Sequence, residues 1–492
     1  MEQGITLPPK DKLWKPLSKD EVKQTVNASL KVLDEVGIHV DNEIILKSAD
    51  DNGCTVDYHK KLVHFPDSVV NDFINKVPND FLFAGRTEEF DVAYHGIPDH
   101  AYGVFGNCLP QVCFWDDRTS EYAYRDAIEA DLLKSTRLYD ALENVHLVIP
   151  PTLDMEAAKN GLAQHVHELN ATLSETRKHI NLSNAAPRTL DEWDYYARLA
   201  SEVVGGDEEL RKRPIISGKS LFSPTLRLSK PACHNLLGPA KHGLPVILGG
   251  CNMPLTIPNA CNMVLQYSSI LANVTLAQML SPDIHFNIDV WGNSLHLTHV
   301  TMNIAAPENE IVNAALVQMV RDHLRLPVWH SPYQSAKITD IQCAYEATLA
   351  LYTQWVTGVT VWTNYPGNDF GYNPEMLIFH EELAEYFDHM GKRFKDTLPT
   401  EENIAFKAIK DIGPLNDFFT HEVTLRNMDL QYTPKLADYR TFTKWNSDKK
   451  SMLDRIRERI KELEVYMPPR LPKDVTERMK KIVKEADRKL AR

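Results

Sequence analysis

From about residue 146 to 390 the chain alternates short apolar runs with longer segments in which apolar residues recur every three or four positions. The runs "HLVIPP" from 146, "HINLSN" from 179, "PIISGKSL" from 214, "PVILGGCN" from 245, "IHFNIDVW" from 284, "LPVWHS" from 326, "VTVWTNY" from 359 and "MLIFHE" from 376 have the length and residue types of strands. The segments 259–280, 309–325 and 338–358 between them read as amphipathic helices. Thr339 with Gln342 has the spacing of a capping box, and Gly358 stands where a helix would hand over to the next strand. This alternation of strands and helices predicts an α/β chain folded as a (β/α)8 TIM barrel with helical extensions at both ends. The expected division is an N-terminal extension over 1–145 packing on the barrel, the barrel over 146–395, and a C-terminal extension over 396–492. That last part carries two charged amphipathic helices with an apolar stripe at Met452, Leu453, Ile456, Ile460 and Leu463.

Side chains alternate along a strand, so each barrel strand gives one set to the helices and one to the interior. In "IHFNIDVW" the apolar set is Ile284, Phe286, Ile288 and Val290, which turns His285, Asn287, Asp289 and Trp291 inward. "HINLSN" likewise directs His179, Asn181 and Ser183 inward. In "VTVWTNY" the two valines set the helix side, so Thr360, Trp362 and Asn364 are expected in the lumen with Tyr365 on the rim. The "VWHSPY" segment leaves two facings open: Val328 with His330, or Trp329 with Ser331. Amides, a carboxylate and tryptophans at strand ends predict a ligand cavity at the C-terminal end of the barrel. The plain alternative, strongest for the deeper Asn181, Ser183 and Asn287, is that these groups satisfy one another. Tryptophan faces beside a carboxylate suit a cation with no hydrogen to donate, a quaternary ammonium.

Composition removes other classes. The 492 residues carry a net charge of −13, which disfavours nucleic-acid or anionic-membrane surfaces. No run is apolar for long enough to span a membrane, and "EQGITLPPKDKLWKPLSKDE" has no signal-peptide core, so a cytoplasmic location is expected. Seven scattered cysteines without a CxxC pair give neither a disulfide framework nor a zinc ribbon. "ISGKS" has Arg213 where a phosphate loop needs its first glycine, and "HEELAEYFDH" lacks the second histidine of a zinc-protease helix. Glu381 or Glu382 in that segment is left as a lumen carboxylate or a helix-start charge. No metal site is expected.

The segments 17–40 ("LSKDEVKQTVNASLKVLDEVGIHV"), 114–142 ("FWDDRTSEYAYRDAIEADLLKSTRLYDAL") and 326–359 ("LPVWHSPYQSAKITDIQCAYEATLALYTQWVTGV") carry a resemblance. So do "AIKDIGPLNDFFTHEVTL" and "YTPKLADYRTFTKW" in the tail. Taken together, essentially end to end, the chain resembles the trimethylamine methyltransferase family, in its non-pyrrolysine branch of quaternary-amine and betaine methyltransferases. The resemblance implies a barrel that moves a methyl group from a methylated amine to the cobalt of a corrinoid (cobalamin) carried by a separate protein. Every position here is one of the standard twenty residues, which favours a betaine over trimethylamine itself. "DIHFNI" has Ile288 where a corrinoid-carrier motif needs glycine, so the partner supplies the cofactor. The substrate-binding set expected on these grounds is Asp289, Trp291, Trp329, His330, Tyr333, Trp362, Asn364, Tyr365 and Glu381, with no residue assigned a covalent role. A homo-oligomer is expected. The alternatives are a non-catalytic quaternary-ammonium-binding barrel and a zinc-dependent methyltransferase barrel.

Overall fold

A computed structural model describes residues 4–490 apart from 79, 97, 107, 184–186, 223–224, 255–256, 300, 304 and 332; Asn184, the last residue of one expected strand, and Pro332 of "WHSPY" lie outside the described residues. Eight parallel strands close into a barrel: β1 (His100–Phe105), β2 (Leu147–Val148), β3 (His179–Leu182), β4 (Ile216–Phe222), β5 (Val246–Gly250), β6 (Phe286–Val290), β7 (Val328–His330) and β8 (Val361–Asn364). The ring closes where β8 pairs with β1, Val361 opposite Tyr102. A short strand, Ile5–Thr6, adds antiparallel to β1.

Seven of the eight expected strands form, and one is replaced. "MLIFHE" lies inside a helix, Pro374–Arg393, started by Asn373, whose side chain accepts from the Glu375 amide. The missing strand is β1, from the segment assigned to the N-terminal extension, so the barrel begins near residue 100 and the expected boundary at 145 shifts. "HAYGVF" has a glycine beside Tyr102 at its centre, which hid its strand character beside the valine-rich runs. Gly103 is required there, because a Cβ would meet the Asn144 carbonyl oxygen at 1.9 Å.

Ahead of the barrel, α1 (Lys19–Lys31) begins with a Ser18–Glu21 capping box. The outer ring is α2 (Glu129–Ala141), α3 (Gln164–Glu175), α4 (Glu192–Val204), α5 (Lys230–His242), α6 (Asn259–Leu280), α7 (Pro307–Met319), α8 (Ile341–Thr357) and α9 (Pro374–Arg393). The start of α8 is capped by Asp340, which accepts from the Cys343 amide, while Thr339 instead hydrogen-bonds Asn368. Its end is as expected: Gly358 takes φ +75°, and any Cβ would collide with Leu13 and Arg321. The two tail helices, α10 (Met452–Leu463) and α11 (Lys473–Leu490), dock on the outer ring. Ile456 and Ile460 are buried on one, Met479, Ile482, Val483 and Ala486 on the other. The N-terminal segment plugs the bottom of the barrel, where Phe81, Phe83 and Tyr94 are buried and Tyr94 donates to the Thr360 carbonyl. Among the described residues no helix is long and apolar enough to cross a membrane.

Candidate active site

Strand pairing fixes which side chains share the lumen. Asp289 of β6 stands opposite Trp329 of β7, and Trp329 opposite Val361 of β8. On β4 the lumen set is Ser217 and Lys219. Ser217 accepts from Asn181 Nδ2 at 2.8 Å and lies 2.7 Å from His179 Nε2 at the bottom. One step toward the mouth, Lys219 Nζ lies 2.8 Å from Asp289 Oδ2, with both residues buried.

This ion pair organises the C-terminal end of the barrel. Trp291 Nε1 donates to Asp289 at 2.6 Å, Ser331 Oγ donates to it at 3.1 Å, and Trp329 Nε1 donates to Ser331 at 2.9 Å. The Lys219 ammonium lies 4.9 Å from the centre of the Trp329 ring and 5.8 Å from that of Trp291. Burial pushes the Asp289 carboxyl upward; Lys219 and the Trp291 and Ser331 donors pull it partly back. Above the pair, three aromatic rings form a chain, Trp291 to Tyr333 at 5.0 Å and Tyr333 to Tyr365 at 4.3 Å, with the Tyr365 hydroxyl anchored on the Asp369 carbonyl at 2.5 Å. Cys251 packs against this group; burial, with Asp289 nearby, pushes its thiol up to about 12, so it stays protonated. Beside Tyr333, Gln334 is 1% exposed, and neither end of its amide has a partner among the described residues. A buried amide with both ends free costs a few kcal/mol, roughly 1–3 per group, unless something completes it.

The structure thus brings together five of the expected residues, Asp289, Trp291, Trp329, Tyr333 and Tyr365, and places four elsewhere. Trp362 faces the helices: its ring N–H donates to the Leu351 carbonyl of α8 and its edge packs on Phe387 of α9 at 5.8 Å. Asn364 shares that parity and is buried, with no side-chain partner among the described residues. The alternation in "VTVWTNY" misleads because Val359 precedes the strand and Val361 is itself a lumen residue; barrel interiors accept valine, and two large helices accept a tryptophan. His330, paired in register between Val290 and Trp362, lies on the helix-facing side, and burial holds its imidazole down to about 3, hence neutral. Glu381 is on α9, outside the barrel, where Oε1 accepts from the backbone and side chain of Asn144 at 3.2 and 3.0 Å.

The residue missed by sequence reasoning is Lys219. Its signal lay in the rejected "ISGKS": a lysine one strand repeat from Ser217, inside an otherwise apolar parallel strand, has its charge directed at the lumen.

The match to known proteins decides the family. The trimethylamine methyltransferase (MTTB) family model matches residues 4–491. The chain belongs to the trimethylamine methyltransferase family. It is 26% identical over 486 residues to trimethylamine methyltransferase MttB of Methanosarcina barkeri, covering 95% of this chain and 94% of that protein. It is 22% identical over 481 residues to a glycine betaine methyltransferase of Desulfitobacterium hafniense, covering 95% and 96%. Among solved structures, the Methanosarcina barkeri monomethylamine methyltransferase MtmB is similar at 11% identity and a TM-score of 0.47, over 94% of this chain and 95% of that one. This family of methylamine and betaine methyltransferases thus supplies the setting in which the lumen chemistry is read.

Proposed function

We propose that this chain transfers a methyl group from a betaine-type quaternary amine, such as glycine betaine, to the reduced corrinoid of a separate protein. The observation that carries the substrate class is the Lys219–Asp289 pair. The aromatic corner of Trp291 and Trp329 is already filled by the chain's own ammonium, and Asp289 is its counter-ion. A simple cation such as protonated trimethylamine or choline would bring an unbalanced charge beside this neutral pair, which is costly in a buried site. A betaine adds no net charge. Its trimethylammonium suits the faces of Trp291, Tyr333 and Tyr365, and its carboxylate suits Lys219 and the free amide of Gln334.

The rim fits a large, partly apolar group: Leu297, Ile338 and Phe370, on the loops that follow β6, β7 and β8, are exposed around the mouth. They would meet a corrinoid presented there, which when bound supplies the nucleophile that takes the methyl. The barrel's task is then orientation: the rings hold the ammonium, Lys219 and Gln334 hold the carboxylate, and one N-methyl is directed outward, so that proximity carries much of the rate. The C–N bond breaks with its electron pair returning to nitrogen, so the leaving amine needs no proton from the chain for departure.

The test is an assay of glycine betaine, choline and trimethylamine with a reduced corrinoid protein, followed spectrally. Conversion with glycine betaine and none with choline is expected. Tight binding of glycine betaine with no conversion would instead make this a binding barrel, and conversion of choline at equal rate would remove the charge argument.

A further inference from the structure

A basic cavity lies at the opposite end of the barrel from Lys219 and Asp289. There α7 closes in a wide π turn, Val320–Leu324, before the chain enters β7. The segment leading into α1 packs on this turn. Gln318 holds it in place, its side chain accepting from the Leu17 amide at 2.9 Å and donating to the Leu17 carbonyl at 2.7 Å. The space between α1 and the turn is about 1010 Å³.

The wall of this cavity carries six cations, Lys10, Lys15, Lys19, Lys23, Arg321 and Arg325, against one carboxylate, Asp322. In a chain of net charge −13 that local excess is opposite in sign to the whole. Asp322 is already taken by Lys15, 2.8 Å away, and among the described residues Lys19, Lys23 and Arg325 have no ion-pair partner. Exposed lysines are ordinary on a surface, but Arg321 is not an exposed residue. It is 7% exposed; Nη1 donates to the Thr357 carbonyl at 2.8 Å, and Nε has no partner among the described residues. A buried guanidinium with a donor unused is costly unless an anion completes it. Beside these cations, α1 lends the same cavity an apolar wall of Val22, Val26 and Leu30.

We propose that this cavity is a binding site for an organic polyphosphate, a phosphate ester with linked phosphoryl groups and an apolar or aromatic body. Arg321 and the α1 lysines match the phosphoryl oxygens, the guanidinium through its planar fork of donors. The body lies on Val22, Val26 and Leu30. A single small anion would leave most of the cations unmatched, and a body without charge would leave Arg321 as it stands. The volume is that of a small-molecule site. Because the cavity opens at the start of β7 and β8, its ligand leaves the mouth of the barrel free.

Calorimetric titration of the full chain with ATP, inorganic triphosphate and sulfate tests this, with Lys23→Glu and Arg321→Met. Lys23 is exposed on α1, so Lys23→Glu should keep the wild-type helix content and urea midpoint. ATP should bind once per chain with a Kd of about 100 μM or lower. Inorganic triphosphate, which lacks the body, should bind about tenfold or more weakly, and sulfate more weakly still. Each variant should weaken ATP binding by about tenfold or more. No binding of ATP overturns the proposal, and triphosphate or sulfate binding as tightly as ATP overturns the ligand class. ATP binding undiminished in Lys23→Glu overturns the location, and binding undiminished in Arg321→Met overturns the part given to the buried guanidinium.

Discussion

Two polar clusters line the same barrel and differ in how they are completed. At the bottom, His179 reaches the Ala84 and Pro214 carbonyls through Nδ1 and Ser217 through Nε2, while Asn181 Nδ2 donates to Ser217 and to the Gly218 carbonyl. At the mouth, Lys219 and Asp289 neutralise each other, while Gln334, next to Tyr333 in the chain, is buried with neither amide end partnered among the described residues. Polar residues inside a barrel therefore do not by themselves mark a site. In the bottom cluster only Asn181 Oδ1 lacks a partner among the described residues, whereas at Gln334 both ends of the amide do.

The largest effect should come from splitting the mouth's ion pair. Asp289→Ala leaves the Lys219 ammonium buried without a counter-ion and should cost about 3–5 kcal/mol, read from urea midpoints. The double variant Lys219→Met, Asp289→Asn should recover at least half of that loss; additive losses would mean that the two groups are not coupled.

Acid tests the parts that are only structural. Burial depresses His179 to about 4 and His330 and His380 to about 3. The unfolded chain takes up these protons near pH 6.5 while the folded chain resists. Their contribution is thus present above that pH and is lost as the pH falls toward 4 and then 3, by up to about 1.4 kcal/mol per pH unit for each imidazole. Denaturant midpoints measured from pH 8 to pH 5 should fall steeply below 6.5, and a flat profile would place these rings in contact with water.

The comparison sharpens when one amide is replaced in each cluster. Asn181→Leu leaves its acceptors unpaired and should destabilise by about 1–3 kcal/mol. Gln334→Leu removes two unpartnered groups, so stability should stay level or rise by about 1 kcal/mol while kcat/KM falls about tenfold or more. A stability loss at Gln334 equal to that at Asn181 would erase the distinction between the clusters. The smallest effect belongs to Trp362→Phe, which keeps most of the packing under α8 and α9. About 1–2 kcal/mol of stability should go, with KM unchanged; a raised KM would return Trp362 to the site.

Much of the fold was legible in strand and helix rhythm. Seven of the eight strands and the long helix α6 fall where the pattern puts them. The first strand was not, because Gly103 and its aromatic neighbours are chosen for the close approach of Asn144 rather than for strand propensity. The last assignment failed because "MLIFHE" is too short to separate a strand from one and a half turns of buried helix. In the site, parity worked on β6, where polar and apolar residues alternate without exception. It failed on β8, where both faces are buried and a valine fits either. Lys219 was visible as a charge in an apolar strand, but no single-strand pattern could reveal its partner Asp289 across the barrel.

The pairing of Tyr102 with Val361 has a consequence for how the chain matures. The first and last strands of the ring are separated by most of the sequence, so during synthesis the barrel stays an open sheet until β8 has been made. Contacts of this separation form late and slowly, and open strand edges are the usual route to aggregation. Lys219 on β4 is made before Asp289 on β6, so its ammonium waits for the counter-ion only until β6 emerges, well before β8 closes the ring.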